Sequence, residues 1–299
     1  MGLELRNISK TFGDFVAVEN LNVQVKENRI LGMIGQNGAG KTTTFRMILG
    51  LLTPDAGEMV WGGRKTTHIH SNAVGYLPEE RGLYPEMSLE EQLLFFGQLR
   101  GKKKKELMPH IHSWLARLQL DEKAKQKVKT LSKGNQQKLQ LISTVLHNPQ
   151  IVILDEPFSG LDPVNAEALK EIVLELKEMG TTVIFSSHRM EHVEEMCDDI
   201  CLLKDGKAIL QGDILEVKEQ FGVKKIVLRS NHTMNELKEL PFVTSVKREF
   251  DKTYVYIKSE HDVKKVFNYV TKDGFIPTFS AETPTLNEIF KMKVGGLSA

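Results

Sequence analysis

Cysteine is scarce: Cys197 and Cys201 are the only two among 299 residues. They read as two reduced, partly buried thiols of a cytosolic protein. The alternative, a metal pair, finds no Cys/His cluster to support it. Charge of one sign is also missing. The formal net charge is +1, so no strong field marks a nucleic-acid partner. No apolar run approaches the roughly 18 to 20 residues needed to span a bilayer. The opening Met-Gly-Leu-Glu-Leu-Arg lacks a basic segment followed by an apolar core, which predicts no secretory signal. Service to a membrane is then expected from the cytoplasmic side, through another chain.

What is present suffices for one large domain and a smaller one. Residues 3–25 read as strands; Leu21, Val23 and Val25 alternate with Asn22 and Gln24, the period of a half-buried strand. Residues 29–34 form an apolar run into a glycine-rich turn. Phe45, Ile48, Leu49 and Leu52 follow at helical spacing. Further strands are expected over 57–61, 72–77, 151–154 and 182–186, with a helix face at Leu169, Ile172, Val173 and Leu176. Residues 88–148 hold no convincing strand and read as a helical insertion. Alternating strands and helices argue for a parallel sheet covered by helices. After Gly212 the texture changes. Short strands over 224–230, 243–250, 253–258 and 275–280, with helices over 263–270 and 284–293, give β-α-β-β-α-β, a small α+β domain. The boundaries are 1–212 and 213–299.

The strongest motif is Gly35-Gln36-Asn37-Gly38-Ala39-Gly40-Lys41-Thr42-Thr43, which satisfies G-x-x-x-x-G-K-[ST] between a buried strand and a helix. The glycines let successive amide N–H groups face inward, and the positive end of the helix completes an anion cradle. Lys41 is placed to reach the β- and γ-phosphates, and the Thr42 hydroxyl to ligate Mg²⁺. The second motif is an apolar run ending in Asp155-Glu156. Asp155 can hold Mg²⁺, and Glu156 can accept a proton from attacking water. These residues point to a nucleotide site but leave GTPase, kinase, helicase-like motor and transporter ATPase open. A guanine-selecting Asn-Lys-x-Asp segment is lacking.

Four further segments resemble the ATP-binding-cassette family. Leu131-Ser132-Lys133-Gly134-Asn135-Gln136-Gln137 is similar to its L-S-G-G-Q signature. Pro157 to Pro163 resembles its D-loop, and Ser186-Ser187-His188 its H-loop. Phe12 stands where the family places an adenine-stacking aromatic; a core position is the alternative. The resemblance covers about residues 2–212. It implies a P-loop NTPase fold: a RecA-like, mostly parallel sheet, an antiparallel β subdomain and a helical subdomain. It implies ATP and Mg²⁺ as cofactors, ATP hydrolysis, catalytic Lys41, Glu156 and His188, and Ser132 and Gly134 acting across a dimer on the partner's γ-phosphate. The implied partners are a second nucleotide-binding subunit and an integral-membrane permease; no nucleic acid is expected.

Two positions depart from the family pattern. Lys133 replaces a glycine, which restricts backbone angles. Glu79 replaces the Q-loop glutamine, and as a charged oxygen ligand it would bind Mg²⁺ more strongly than an amide; a solvated loop carboxylate is the alternative. Leu83, Tyr84, Phe95 and Phe96 offer an apolar groove to a permease helix, unless Phe95 and Phe96 fill the insertion's own core. Together with the C-terminal domain, these segments resemble the sodium-efflux type of bacterial ATP-binding-cassette subunits, the NatA-like and YhaQ-like group. Sodium is an expectation from the family alone. Two other classes compete with an exporter subunit: a soluble cassette ATPase on ribosomes or DNA, and a nucleotide-sensing module without transport.

Overall fold

A computed structural model describes residues 2–80, 82–223, 225–230, 232–272 and 274–294. Residue 224 of the first expected C-terminal strand lies outside the described residues, as does Arg81 beside Glu79. The chain divides into two compact units, Met1–Gln211 and Gly212–Ala299.

In the first unit the elements run β1 (Leu3–Phe12), β2 (Phe15–Val25), β3 (Ile30–Ile34), α1 (Lys41–Ile48), β4 (Ala56–Trp61), β5 (Arg64–Thr66) and β6 (Val74–Leu77). Next come α2 (Leu89–Leu99), α3 (Lys104–Arg117), α4 (Lys133–Val145), β7 (Ile151–Leu154), α5 (Pro163–Glu178), β8 (Thr182–Ser187), α6 (Met190–Met196), β9 (Asp199–Lys204) and β10 (Lys207–Asp213). Six strands form one sheet in the order β10-β9-β3-β8-β7-β6. Every pairing among β9, β3, β8, β7 and β6 is parallel. β3, β7 and β8 are buried along their whole length, as parallel strands covered on both faces must be. A second, antiparallel sheet has the order β2-β1-β4-β5. Val18, Leu21, Val23 and Val25 of β2 share a core with Phe45 and Ile48 of α1, so the antiparallel sheet packs on the helix that leaves the phosphate loop.

The expected insertion is three helices, α2 to α4. Ser88 caps α2 reciprocally with Glu91, a capping box. Ser132 caps α4, and Asp162 followed by Pro163 opens α5.

The second unit holds α7 (Ile214–Gln220), β11 (Lys225–Arg229), α8 (Met234–Lys238), β12 (Val243–Glu249), β13 (Lys252–Ile257), α9 (Val263–Val270), β14 (Thr278–Glu282) and α10 (Leu286–Val294). From β11 to β14 the order is β-α-β-β-α-β. The sheet runs β12-β13-β11-β14, antiparallel throughout. Ile226, Leu228, Val255 and Ile257 of the sheet share a core with Leu237 of α8 and with Val266 and Val270 of α9. The last strand begins three residues later than expected, after Pro277, which cannot donate to a ladder.

Candidate functional site

The phosphate loop follows the buried strand β3. Gly38 and Gly40 lie at φ +83° and +101°, where L side chains are strained. A Cβ on Gly40 would meet the Ala17 carbonyl oxygen at 2.6 Å, so β2 presses on the loop too closely for any other residue. α1 begins at Lys41 without a side-chain cap, leaving its first amides for an anion. Lys41 Nζ donates to the carbonyls of Gly35 (2.7 Å) and Gln36 (3.2 Å). Burial lowers its pKa, against the pull of Glu156, Asp155 and Glu79. A phosphate would supply the opposite charge that this buried ammonium lacks at hydrogen-bond range. A cavity of about 240 Å³ lies against the loop, lined by Asn37 to Thr43, Glu79, Asp155, Glu156, Phe15 and Ala17.

The two carboxylates leave β7 in different directions because Glu156 adopts φ +49°, a left-handed conformation that costs a non-glycine residue about 1–3 kcal/mol. Asp155 Oδ2 accepts from the Thr42 hydroxyl at 2.8 Å, and Oδ1 from the Ser186 hydroxyl at 2.6 Å. The same Ser186 oxygen accepts from the Glu156 N–H at 2.8 Å. One buried serine on β8 thus fixes both acids, the first through its side chain and the second through its backbone. Glu156 Oε2 lies 2.9 Å from His188 Nδ1, so with the acid ionised Nδ1 carries the hydrogen. Glu156 Oε1 is buried with no hydrogen-bond partner. An acceptor so placed beside the loop suits a water to be deprotonated.

Thr42 and Asp155 present hard oxygen atoms already in contact. Among the described residues no group of three His, Cys, Asp or Glu side chains forms a metal cage. That donor set fits a small divalent cation that keeps waters and substrate phosphate oxygens in its shell. Glu79 is exposed and lines the cavity. It also lines a second, wider cavity of about 720 Å³ with Glu156, Gln136 and Gln137.

The signature segment sits elsewhere. Ser132 accepts from the Asn135 N–H at 3.3 Å as the cap of α4. Gly134 is buried, and a Cβ there would meet Asn165 Nδ2 at 2.5 Å. Lys133 is the exposed first residue of α4 and its φ is not positive. The expected backbone restriction at this position therefore does not arise, because an ordinary helical residue is all that is required. Ser132 and Gly134 are not among the residues lining the phosphate-loop cavity.

Residues 18–159 match the family model described as ABC transporter, and residues 212–294 match the C-terminal domain of the DrrA1-3-like ATP-binding proteins. Over 295 residues the chain is 46% identical to the uncharacterized ABC transporter ATP-binding protein YhaQ of Bacillus subtilis (strain 168), covering 99% of each. The chain is an ABC transporter ATP-binding protein. It is 34% identical over 213 residues to the Nod factor export ATP-binding protein I of Cupriavidus metallidurans, covering 70% of each. A solved ATP binding subunit of an ABC transporter superposes with a TM-score of 0.68 at 30% identity, covering 74% of this chain and 94% of that one. This ABC subunit binds ATP and is an ATPase.

Within this ABC subunit the structure gathers Asn37 to Thr43, Glu79, Asp155 and Glu156 around one cavity, with Gly35 and Gln36 held to Lys41 through their carbonyls and His188 reached through Glu156. Phe12 is not a lining residue. It pairs with Phe15 at the β1–β2 turn, is half exposed, and lies 5.7 Å beneath Lys10 Nζ. Phe15, 61% exposed, is the aromatic that faces the loop. Sequence reading missed Phe15, and it took Ser186 only as part of the H-loop segment, without its link to the two acids. Phe15 lies three residues past the expected aromatic, across a tight turn, and only the hairpin register brings it over the glycines.

Proposed function

We propose that this ABC subunit energises a membrane exporter by ATP-driven pairing of two subunits, each completing the other's nucleotide site. The observation that carries the reading is the separation within one chain of two anion-binding elements. The phosphate loop, Asp155 and Glu156 surround one cavity, while the free N-terminal end of α4 at Ser132 and Gly134 lies outside its lining. A second copy brings that helix end to the γ-phosphate.

In the proposed cycle Lys41 leaves the Gly35 and Gln36 carbonyls for the β- and γ-phosphates. Thr42 and Asp155 would hold Mg²⁺, whose charge would offset that of the phosphates, and Glu79 lines the same cavity as a further candidate ligand. Glu156 accepts the proton of the attacking water through its unpartnered Oε1. His188 orients that acid through Nδ1, and the Ser132 hydroxyl and Gly134 amide of the partner copy receive the γ-phosphate. Phe12 and Phe15 flank the place of the adenine.

The permease is a separate chain in this reading, and the subunit works at the cytoplasmic face of the membrane. No helix among the described residues is long and apolar enough to cross one. Tyr84, Phe95 and Phe96 form an aromatic cluster with ring centroids 5.6–6.0 Å apart, and Tyr84 is 48% exposed. That cluster, made by Tyr84 of the loop leading from Glu79 and by Phe95 and Phe96 of α2, is the surface offered to the permease. Export is the direction carried by the Nod factor relative. Sodium is the family's suggestion for cargo, and its choice belongs to the permease.

The test is Glu156→Gln with Mg-ATP. The variant should bind ATP, hydrolyse it at least a hundredfold more slowly, and elute as a dimer that reverts to monomer without nucleotide. A variant that stays monomeric at saturating Mg-ATP would overturn the composite site.

A further inference from the structure

β6 is the open edge of the six-stranded sheet. Backbone groups of a strand alternate sides, and those on the inner side are taken. The Ala73 oxygen accepts from the Ile151 N–H and the Leu77 oxygen from the Asp155 N–H. The carbonyls of Val74, Tyr76 and Pro78 therefore point outward, where an uncovered edge leaves acceptors unmatched. α4 and the turn that follows it lie along that edge and answer each in turn. His147 Nε2 lies 3.1 Å from the Val74 oxygen, and the Thr144 hydroxyl, which donates to the Gln140 oxygen of its own helix at 2.9 Å, approaches the Tyr76 oxygen at 3.4 Å. Gln140 Nε2 donates to the Pro78 oxygen at 3.3 Å.

The spacing explains the match. Gln140 and Thr144 lie on one face of α4, one turn and about 6 Å apart, and His147 follows in the turn just past the Leu146 cap. Outward carbonyls of a strand recur about every 6.6 Å. Gly75 permits the approach, since a Cβ there would strike the Thr144 carbonyl oxygen at 2.4 Å. All three seam side chains are buried, so each needs a partner, which Thr144 already has in the Gln140 carbonyl. Burial lowers the His147 pKa, consistent with a neutral ring donating through Nε2.

The seam does not stop at the end of the strand. Gln140 Nε2 also reaches the Glu80 oxygen at 3.5 Å. Its two hydrogens thus bracket Glu79, one carbonyl on either side. Both partners are acceptors, which fixes the amide with nitrogen toward the loop; the opposite end, Oε1, is buried and unpartnered.

We propose that Gln140 is a positioning residue for hydrolysis, holding the Glu79 loop at a set height on the signature helix. α4 begins at the Ser132 cap, and one turn on from it Gln137 Nε2 donates to the Pro157 oxygen at 3.0 Å, directly after Glu156. One rigid helix thus carries the signature at its end and fixes the segments of both Glu156 and Glu79 along its side. The proposal rests on the reading above that Glu79 works at the nucleotide.

The experiment uses full-length protein carrying Gln140→Met, which keeps length and volume and loses both donors. Amide exchange over residues 79–84 should quicken about five- to tenfold, the loss of one hydrogen bond's protection. The kcat for ATP should fall about tenfold with KM changed less than about twofold, as for a misplaced catalytic loop. In a Glu79→Ala background Gln140→Met should cost no further kcat. Thr144→Val, one turn further from the loop, should lower the melting temperature without quickening loop exchange. Unchanged exchange in Gln140→Met, or the same kcat loss in both backgrounds, overturns the proposal. If Glu79→Ala alone hydrolyses at the wild-type rate while Gln140→Met still quickens the loop, the reading of Glu79 fails and the seam stands.

Discussion

Ser186→Ala removes one oxygen from the middle of the site and tests whether a structural serine sets the geometry of both acids. The hydroxyl is fully buried. Its bond to Asp155 Oδ1 is short, 2.6 Å, and charge-assisted, a class that contributes about 1.5–3 kcal/mol. Its bond from the Glu156 N–H, 2.8 Å, is a neutral one of about 1 kcal/mol. No water replaces either partner if the site closes over the missing atom, so the loss should be about 3 kcal/mol. For a unit of this size that lowers the melting temperature by roughly 6–12 °C. The effect on rate should exceed the effect on binding. Glu156 is held at φ +49°, and without its N–H anchor the strained backbone relaxes and carries the carboxylate off line, costing at least about tenfold in kcat. ATP affinity, set by the phosphate loop, should move less than about threefold. The assays are thermal denaturation without nucleotide, initial rates at saturating Mg-ATP, and an ATP titration. A Ser186→Ala protein melting within about 2 °C of wild type with unchanged kcat would refute the reasoning.

Glu79→Gln should retain ATP binding but move the Mg²⁺ midpoint of hydrolysis upward, since an amide brings no charge to the metal; an unmoved titration would remove Glu79 from the metal's surroundings. Gly134→Ala drives a Cβ onto Asn165 Nδ2, the mobile end of a side chain, so stability should fall by less than about 1 kcal/mol. In the Glu156→Gln background it should nevertheless weaken the ATP-dependent dimer, read by light scattering. Burial pushes the Cys201 thiol up to about 12 from the ordinary 9.0. The unfolded chain gives up that proton first. Its stabilising share is therefore full below pH 9 and declines by about 1.4 kcal/mol per pH unit as pH rises toward 12. Urea melts across that window check the slope, and a thiol reagent at pH 8 should find neither buried cysteine until the protein unfolds.

The parts of the site legible in the sequence are those whose chemistry is made by neighbours along the chain. Gly35 to Thr43 work through consecutive backbone amides, and Asp155-Glu156 stand at the end of an apolar strand, so spacing alone places them. The roles of Ser186 and Gln140 escaped because their partners lie 30 residues and about 60 residues away and only the packing of β8 beside β7, and of α4 on β6, joins them. Lys133 shows the opposite error: a departure from a motif suggested strain where the backbone needs only a helix. In the fold, the parallel strands β3, β7 and β8 were plain because they are apolar throughout. β9 was missed although Ile200 to Leu203 are buried, because an apolar run of four residues between Asp199 and Lys204 is too short for periodicity to assign. The short α8 was implied by the β-α-β-β-α-β order but not located, although Thr233 and Glu236 form a capping box around its start, since five residues carry too little periodicity to register.

The central claim is that one chain holds two halves of two different sites. Mixing two disabled variants tests it. Lys41→Ala lacks a working phosphate loop but keeps its signature; Ser132→Arg keeps its loop but blocks its signature. Each alone should be nearly inactive. If the signature works across the dimer, random pairing makes about half the dimers mixed, with one intact site of two in each, so an equimolar mixture should regain about a quarter of wild-type hydrolysis. A mixture no more active than its two components would contradict the account.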